Sequence, residues 1–149
     1  MAKIIMAVMV AIVVFSVFGG KDALSMDLRQ FQWKNRLLFL FTPQRSDRFF
    51  SDLLNEIMAN KNEVEDRDLI VFEILESGPS FMDSVSLDAQ TAAALREKFD
   101  APPGRFTVIL VGKDGGVKLK RHTGTRLNDI FALIDAMPMR QEEIRQKSQ

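Results

Sequence analysis

Cysteine is absent from the 149-residue chain. That absence excludes disulfides, thiolate zinc sites, iron–sulfur clusters, thiol redox chemistry and a lipid anchor on cysteine. Histidine is nearly absent as well, His122 being the sole copy, so a Ser-His-Asp triad or a two-histidine metal site is hard to build. Nor is there an excess of one charge. Twenty Lys and Arg balance twenty Asp and Glu, which argues against nucleic acid as a partner. No internal repeat and no low-complexity linker interrupts the chain. With 46% hydrophobic and 27% charged residues, the composition supports one packed domain and excludes wholesale disorder.

Near the N-terminus Lys3 precedes an apolar run, Ile4 to Phe18, broken only by Ser16 and ended by Gly19-Gly20-Lys21-Asp22. As a helix this run would span ~22 Å, short of a ~30 Å hydrocarbon core, so residues 1–25 are expected to be a signal peptide. Val17-x-Gly19 and Ala23-x-Ser25 are the small-residue cleavage options, and an uncleaved membrane anchor is the alternative. Either way residues 26–149 are expected to be exported, to a periplasm or beyond the cell.

The remainder alternates between strand and helix signals. Arg36 to Phe41, Leu69 to Ile74 and Phe106 to Val111 are short, nearly continuous apolar runs, the pattern of strands buried on both faces. Ser46 is placed to cap a helix carrying Phe49, Phe50, Leu53, Leu54, Ile57 and Met58 at helical spacing, ending near Asn60. Glu63 to Asp68 is expected as a solvated acidic loop, without the spaced ligands of a calcium site. Ser77-Gly78-Pro79-Ser80 begins a loop of about ten residues or, equally, an ordered excursion, after which Ser86 caps a helix with Leu87, Thr91, Leu95 and Phe99 on one row. Lys113-Asp114-Gly115-Gly116 signals a tight turn into an alternating strand, Val117 to Lys120. Thr123 or Thr125 starts the last amphipathic helix, Pro138 interrupts it, and Met139 to Gln149 is expected as a charged, helical and fraying tail. In the lead-in, Phe31 and Trp33 are expected to form a satellite apolar cluster. The order β-α-β-α-β-β-α around a central mixed sheet describes an α/β, thioredoxin-like fold.

The segments Arg36 to Asn60, Gly104 to Leu119 (with its Gly112-Lys113-Asp114-Gly115-Gly116-Val117 hairpin) and Ile134-Asp135-Ala136-Met137-Pro138-Met139-Arg140 carry a resemblance. Together they resemble the thioredoxin/peroxiredoxin-like "domain of unknown function" family, a domain shared with sushi-repeat and coiled-coil-containing matrix proteins; this chain looks like a cysteine-free, bacterial-type member. The resemblance implies a thioredoxin-like fold and export, and brings no catalytic residues or cofactor with it. Thioredoxins proper place a thiolate at the start of the helix after the first strand. Here that stretch is Thr42-Pro43-Gln44-Arg45-Ser46-Asp47. Phe106 stands near the place of their cis-proline, with Pro102 and Pro103 earlier.

Two sets of residues are candidates for recognition. A helix start offers free backbone N–H groups and a positive dipole end. Thr42, Gln44, Arg45, Ser46 and Arg48 surround it, and Arg105 approaches from the opposing loop, so a carboxylate, sulfate or phosphate is the candidate ligand. The simpler reading is a capped helix with solvated arginines. Lys118, Lys120, Arg121, His122 and Arg126 form a basic strip suited to an acidic polymer, glycan or protein; lysines that blunt a sheet edge account for it equally. The sequence therefore favours an exported, non-catalytic binding or structural module with no cofactor or metal. The competing reading is a cysteine-independent enzyme in which Arg45, Arg105 and His122 converge in one cleft.

Overall fold

A computed structural model describes residues 26–149. The Ile4–Phe18 run, expected as a signal peptide or anchor, lies outside the described residues, and among those described no helix is long and apolar enough to cross a membrane.

The fold is built on β1 (Arg36–Gln44), which extends three residues beyond the apolar run that signals it. From Leu37 to Phe41 every side chain is buried, because β1 lies inside the sheet and both of its faces are covered. It pairs in parallel with β2 (Leu69–Ser77) and antiparallel with β5 (Thr107–Val111). Strand alternation then feeds two cores. Leu38 and Leu40 pack with Phe50, Leu53, Ile130 and Ile134 on one side. Leu37, Phe39 and Phe41 pack with Phe72, Leu95 and Ile109 on the other, where the rings of Phe72 and Phe99 each lie 4.5 Å from Phe39.

Helices α1 (Arg48–Ala59) and α4 (Leu127–Asp135) cover the first core, and α3 (Ala89–Lys98) covers the second. The remaining strands are β3 (Ser80–Met82), β4 (Val85–Leu87) and β6 (Val117–Arg121), and the sheet order is β4-β3-β2-β1-β5-β6. The expected thioredoxin-like α/β order is present, with additions. The residues after Ser77, left open between a loop and an ordered excursion, are ordered as the β3–β4 hairpin. It is tied down by Leu75 N–H donating to Ser80 Oγ (3.0 Å) and Val71 N–H donating to Asp83 Oδ1 (2.9 Å).

Three expected helix caps are corrected. Asp47, not Ser46, accepts from the Phe50 amide. Ser86 lies in β4, and Asp88 caps α3 by accepting from the Thr91 amide at 2.7 Å. Neither Thr123 nor Thr125 caps α4: Glu56 of α1 reaches across, its Oε2 accepting from the Leu127 amide at 2.7 Å. In each case a carboxylate takes the place given to a hydroxyl, and only a carboxylate adds favourable charge at the positive helix end.

The largest departure is electrostatic. The acidic stretch expected as a solvated loop contains α2 (Lys61–Asp66); the tail is helical as expected, α5 (Pro138–Lys147) with Pro138 in its first turn, but it is anchored rather than fraying. Four buried cations, Arg36, Arg67, Lys113 and Arg140, join these two segments. Glu143 of α5 accepts from Arg36 (3.1 Å) and Lys113 (2.7 Å), and Lys113 also donates to Asp68 (2.8 Å). Arg140 pairs with Asp66 and Asp135. Arg67 bridges Glu63 and Asp135, with its guanidinium 4.1 Å from the centre of the Phe131 ring. The tail is thus clamped at the β1 N-terminal end of the sheet.

Hydrogen bonds from Lys147 and Arg140 pull the Asp66 carboxyl down to about 2. Burial pushes Glu143 up, but hydrogen bonds from Arg36 and Lys113 outweigh it and leave that carboxyl below its ordinary value. A carboxylate depressed in the folded state contributes stability above its unfolded pKa and loses it as the pH falls. The clamp should therefore weaken as pH drops from about 4 toward 2, detected as loss of amide protection in α5 ahead of β1. Glu143→Ala, which leaves Arg36 and Lys113 short of a partner, should cost about 3 kcal/mol in urea denaturation. Arg145→Ala, at an exposed position, should change stability by under about 0.5 kcal/mol.

Candidate functional site

In this fold the C-terminal end of β1 and the start of α1 are where sequence reasoning locates recognition. The polar groups there are already engaged. Thr42 is fully buried and its Oγ1 donates to the Gln44 carbonyl at 2.9 Å. The Asp47 amide donates to the same carbonyl at 3.1 Å, and the Asp47 carboxylate accepts from the Phe50 amide at 3.1 Å. A negative charge belonging to the chain therefore sits where an anionic ligand would go. Arg45 turns away to Glu73 on β2 (2.9 Å), its guanidinium 5.8 Å from the Phe50 ring and 5.9 Å from that of Phe81. Ser46 and Gln44 are exposed, and Arg48 points into solvent 3.6 Å from Asp52.

Beside this start lies an aromatic contact that sequence reasoning did not single out. Phe49 is 44% exposed and its ring centre is 6.2 Å from that of buried Phe106. The loop after β6 crosses close above it: a Cβ added at Gly124 would fall 2.8 Å from Phe49 Cδ1. Phe49 was legible as a helix-face residue, but nothing local announces that Gly124, 75 positions on, passes over its ring.

The basic strip is likewise mostly committed. Lys118 Nζ bonds Asp114 at 2.7 Å. Lys120 Nζ donates to the carbonyls of Phe99 (2.8 Å) and Asp100 (3.0 Å), at the negative end of α3. Arg126 lies 3.9 Å from Glu56. His122, partly buried, has Nδ1 2.9 Å from Thr107 Oγ1 across the β5–β6 pair. Arg121 and Arg105 are exposed, and among the described residues neither is held by an ion pair. β6 is an outer strand of the sheet, consistent with its lysines guarding an edge.

Arg45 and His122 do not converge. Arg45 reaches Glu73 and Phe50 on the side of the first core, whereas Thr107, the partner of His122, points to the opposite face with Ile109 and Val111. The sheet separates the guanidinium from the imidazole, so the cleft that the enzyme reading requires is not assembled. The acidic residues of the α2 region are spent on the arginine and lysine clamp, and among the described residues no group of three or more His, Asp or Glu side chains is arranged to hold a metal ion.

A family model described as a domain of unknown function, DUF4174, matches residues 27–143. Sushi repeat-containing protein SRPX2 of Xenopus laevis is 26% identical over 120 residues, covering 78% of this chain and 26% of that protein. The chain thus spans about a quarter of the length of this curated relative. Among solved structures, a reduced 2-Cys peroxiredoxin of Plasmodium vivax superposes with a TM-score of 0.60 at 12% identity, covering 78% of this chain and 72% of the other. A thiol:disulfide interchange protein from Bacteroides sp. gives 0.53 at 15% identity, covering 72% and 75%. At such identities the likeness is one of fold, and the fold is thioredoxin-like.

Asp47→Ala removes the cap and should destabilise the protein by about 1 kcal/mol, read from thermal or urea unfolding. Ser46→Ala should leave stability within about 0.5 kcal/mol. The reverse order of effects would return the cap to Ser46.

Proposed function

The chain belongs to the DUF4174 family, and from that premise we propose that it is an exported, non-catalytic binding module that recognises an acidic protein or glycan through the β6 edge and its flanking arginines. The carrying observation is the state of the β1–α1 corner. Thr42 and Asp47 satisfy the local backbone, Arg45 is tied to Glu73, and no cysteine stands anywhere in the chain. A thiolate needs a cysteine, and a serine hydroxyl far above neutral pKa does not replace one unaided. What remains for contact is surface. Among the described residues Arg121 on the outer strand and Arg105 at the entry to β5 have no ion pair, and Arg126 follows β6; Lys120 lies on the other face of β6 from Arg121, and Lys118 and Lys120 are held by Asp114 and by the Phe99 and Asp100 carbonyls. Recognition of this kind works by screened attraction between exposed charges and weakens with salt.

The apolar run Ile4–Phe18 supports export to a periplasm or beyond the cell, with residues 1–25 removed. Intact-mass measurement of the exported protein should show a loss of ~2 kDa or more; the full mass would mean retention of the segment as an anchor.

For recognition, heparin serves as a polyanionic probe, read on the backbone amides of the exported form. Shifts should cluster at Val117–Arg126 and Arg105 and fade between 0.05 and 0.5 M salt, as expected when the screening length contracts several-fold. Arg105→Glu with Arg121→Glu should weaken binding roughly tenfold, about 1.4 kcal/mol. A blank map, or binding that ignores both substitutions, would remove the polyanion reading.

A further inference from the structure

β6 closes one side of the sheet, with β5 along its inner edge and no strand beyond it among the described residues. Its outward backbone N–H and C=O groups form a row of donors and acceptors that another chain can pair with. β4, at the other edge, is only three residues long. Lysines on an edge ordinarily keep such a row closed, but here they are drawn away from it. Lys120 Nζ donates to the Phe99 and Asp100 carbonyls at 2.8 and 3.0 Å, and Lys118 Nζ to Asp114 at 2.7 Å. Both charges are thereby compensated within the chain, and both side chains are anchored instead of lying loose along the edge. Arg121 is the exception. It is exposed, without an ion pair among the described residues, and it stands opposite Val108 on the face of the sheet that carries Leu119. The register shifts between Leu110 and Val111, so the regular part of β6 is Leu119 to Arg121, and Arg121 belongs to it.

An added strand is stabilised by residues that complement those directly opposite, and destabilised by like charges there. A second copy of β6 meets this poorly. Paired antiparallel about Leu119, it sets Lys118 against Lys120 and Arg121 against Val117, and brings no carboxylate to either arginine. We propose that β6 takes up an extended acidic segment of a partner protein as a seventh strand, with a carboxylate opposite Arg121 and apolar side chains along Leu119 and the exposed Val117. Backbone pairing supplies the affinity and the carboxylate the selection. The proposal rests on the charge reading of the same strand and narrows it: one free cation on β6 gives a glycan little hold, whereas a polypeptide also meets the backbone row.

The probe is the capped peptide acetyl-Thr-Val-Glu-Val-Thr-Val-amide, titrated into the exported protein and followed by amide shifts and hydrogen exchange. Saturable shifts are expected across Val117–Arg121, with alternate amides of that strand gaining protection from exchange. Replacing the glutamate of the peptide by lysine should weaken binding about tenfold, as should Arg121→Glu, and the two changes together should restore it. A fully N-methylated peptide, which keeps the carboxylate and loses every backbone donor, should not bind. Binding by the methylated peptide, or binding indifferent to the charge exchange, would overturn strand addition. Shifts with heparin and none with the peptide would overturn it while leaving the charge reading of β6 standing; shifts with neither would remove both. Protection of β6 amides that grows with protein concentration in the absence of peptide would also overturn it, by giving the edge to a second copy.

Discussion

One strand decides the layout. Five consecutive residues of β1, Leu37 to Phe41, are removed from water on both faces, and this is possible only when neighbours occupy all four sides. β2 and β5 satisfy its backbone groups; α1 and α4 bury Leu38 and Leu40, and α3 with the lead-in buries Leu37, Phe39 and Phe41. At about 2 kcal/mol per large apolar side chain, no other segment of comparable length contributes as much. Its direction also defines the two ends of the molecule: Gln44 leads to the α1 corner, and Arg36 leads to the ion cluster.

The two ends have opposite electrostatic character. At the α1 corner the charges are few and paired locally, so that end is closed by its own chemistry. At the Arg36 end, cations and carboxylates are concentrated under α5. Burying such charge gains little over an apolar packing of the same shape, but removing one partner is costly. The cluster therefore acts as a specificity device: α5 has one docking position, the one that places Glu143 between Arg36 and Lys113. The Trp33 amide is held by the same Lys113 through its carbonyl.

The strands were legible because doubly buried strands announce themselves as uninterrupted apolar runs, and α1 and α4 because their apolar residues recur at helical spacing. The hairpin β3–β4 was not, since Ser80–Met82 and Val85–Leu87 are too short and too polar to show a period. The caps failed for a related reason: Ser46 and Asp47 are adjacent and equally suited by type, and Glu56 caps α4 from 71 positions away. The acidic stretch and the basic tail are each unremarkable alone. Their meaning appears only when the fold brings Asp66 to Arg140 and Asp68 to Lys113. For the candidate sites, residue type marked Arg45 beside a helix start and Lys120 in a basic strip on a strand, but whether each was free depended on Glu73 and on the carbonyls of Phe99 and Asp100.

The β1–α1 corner is closed by the chain's own contacts, Thr42 to the Gln44 carbonyl, Arg45 to Glu73 and Asp47 to the Phe50 amide. Sulfate titration followed at the amides of Phe49, Phe50 and Ser51 tests this most directly. Because Asp47 already accepts from Phe50 and places negative charge at the helix start, those amides should show no saturable shift. A saturable shift confined to them would show that the corner still opens to an anion, and would contradict the closure on which the non-catalytic reading rests.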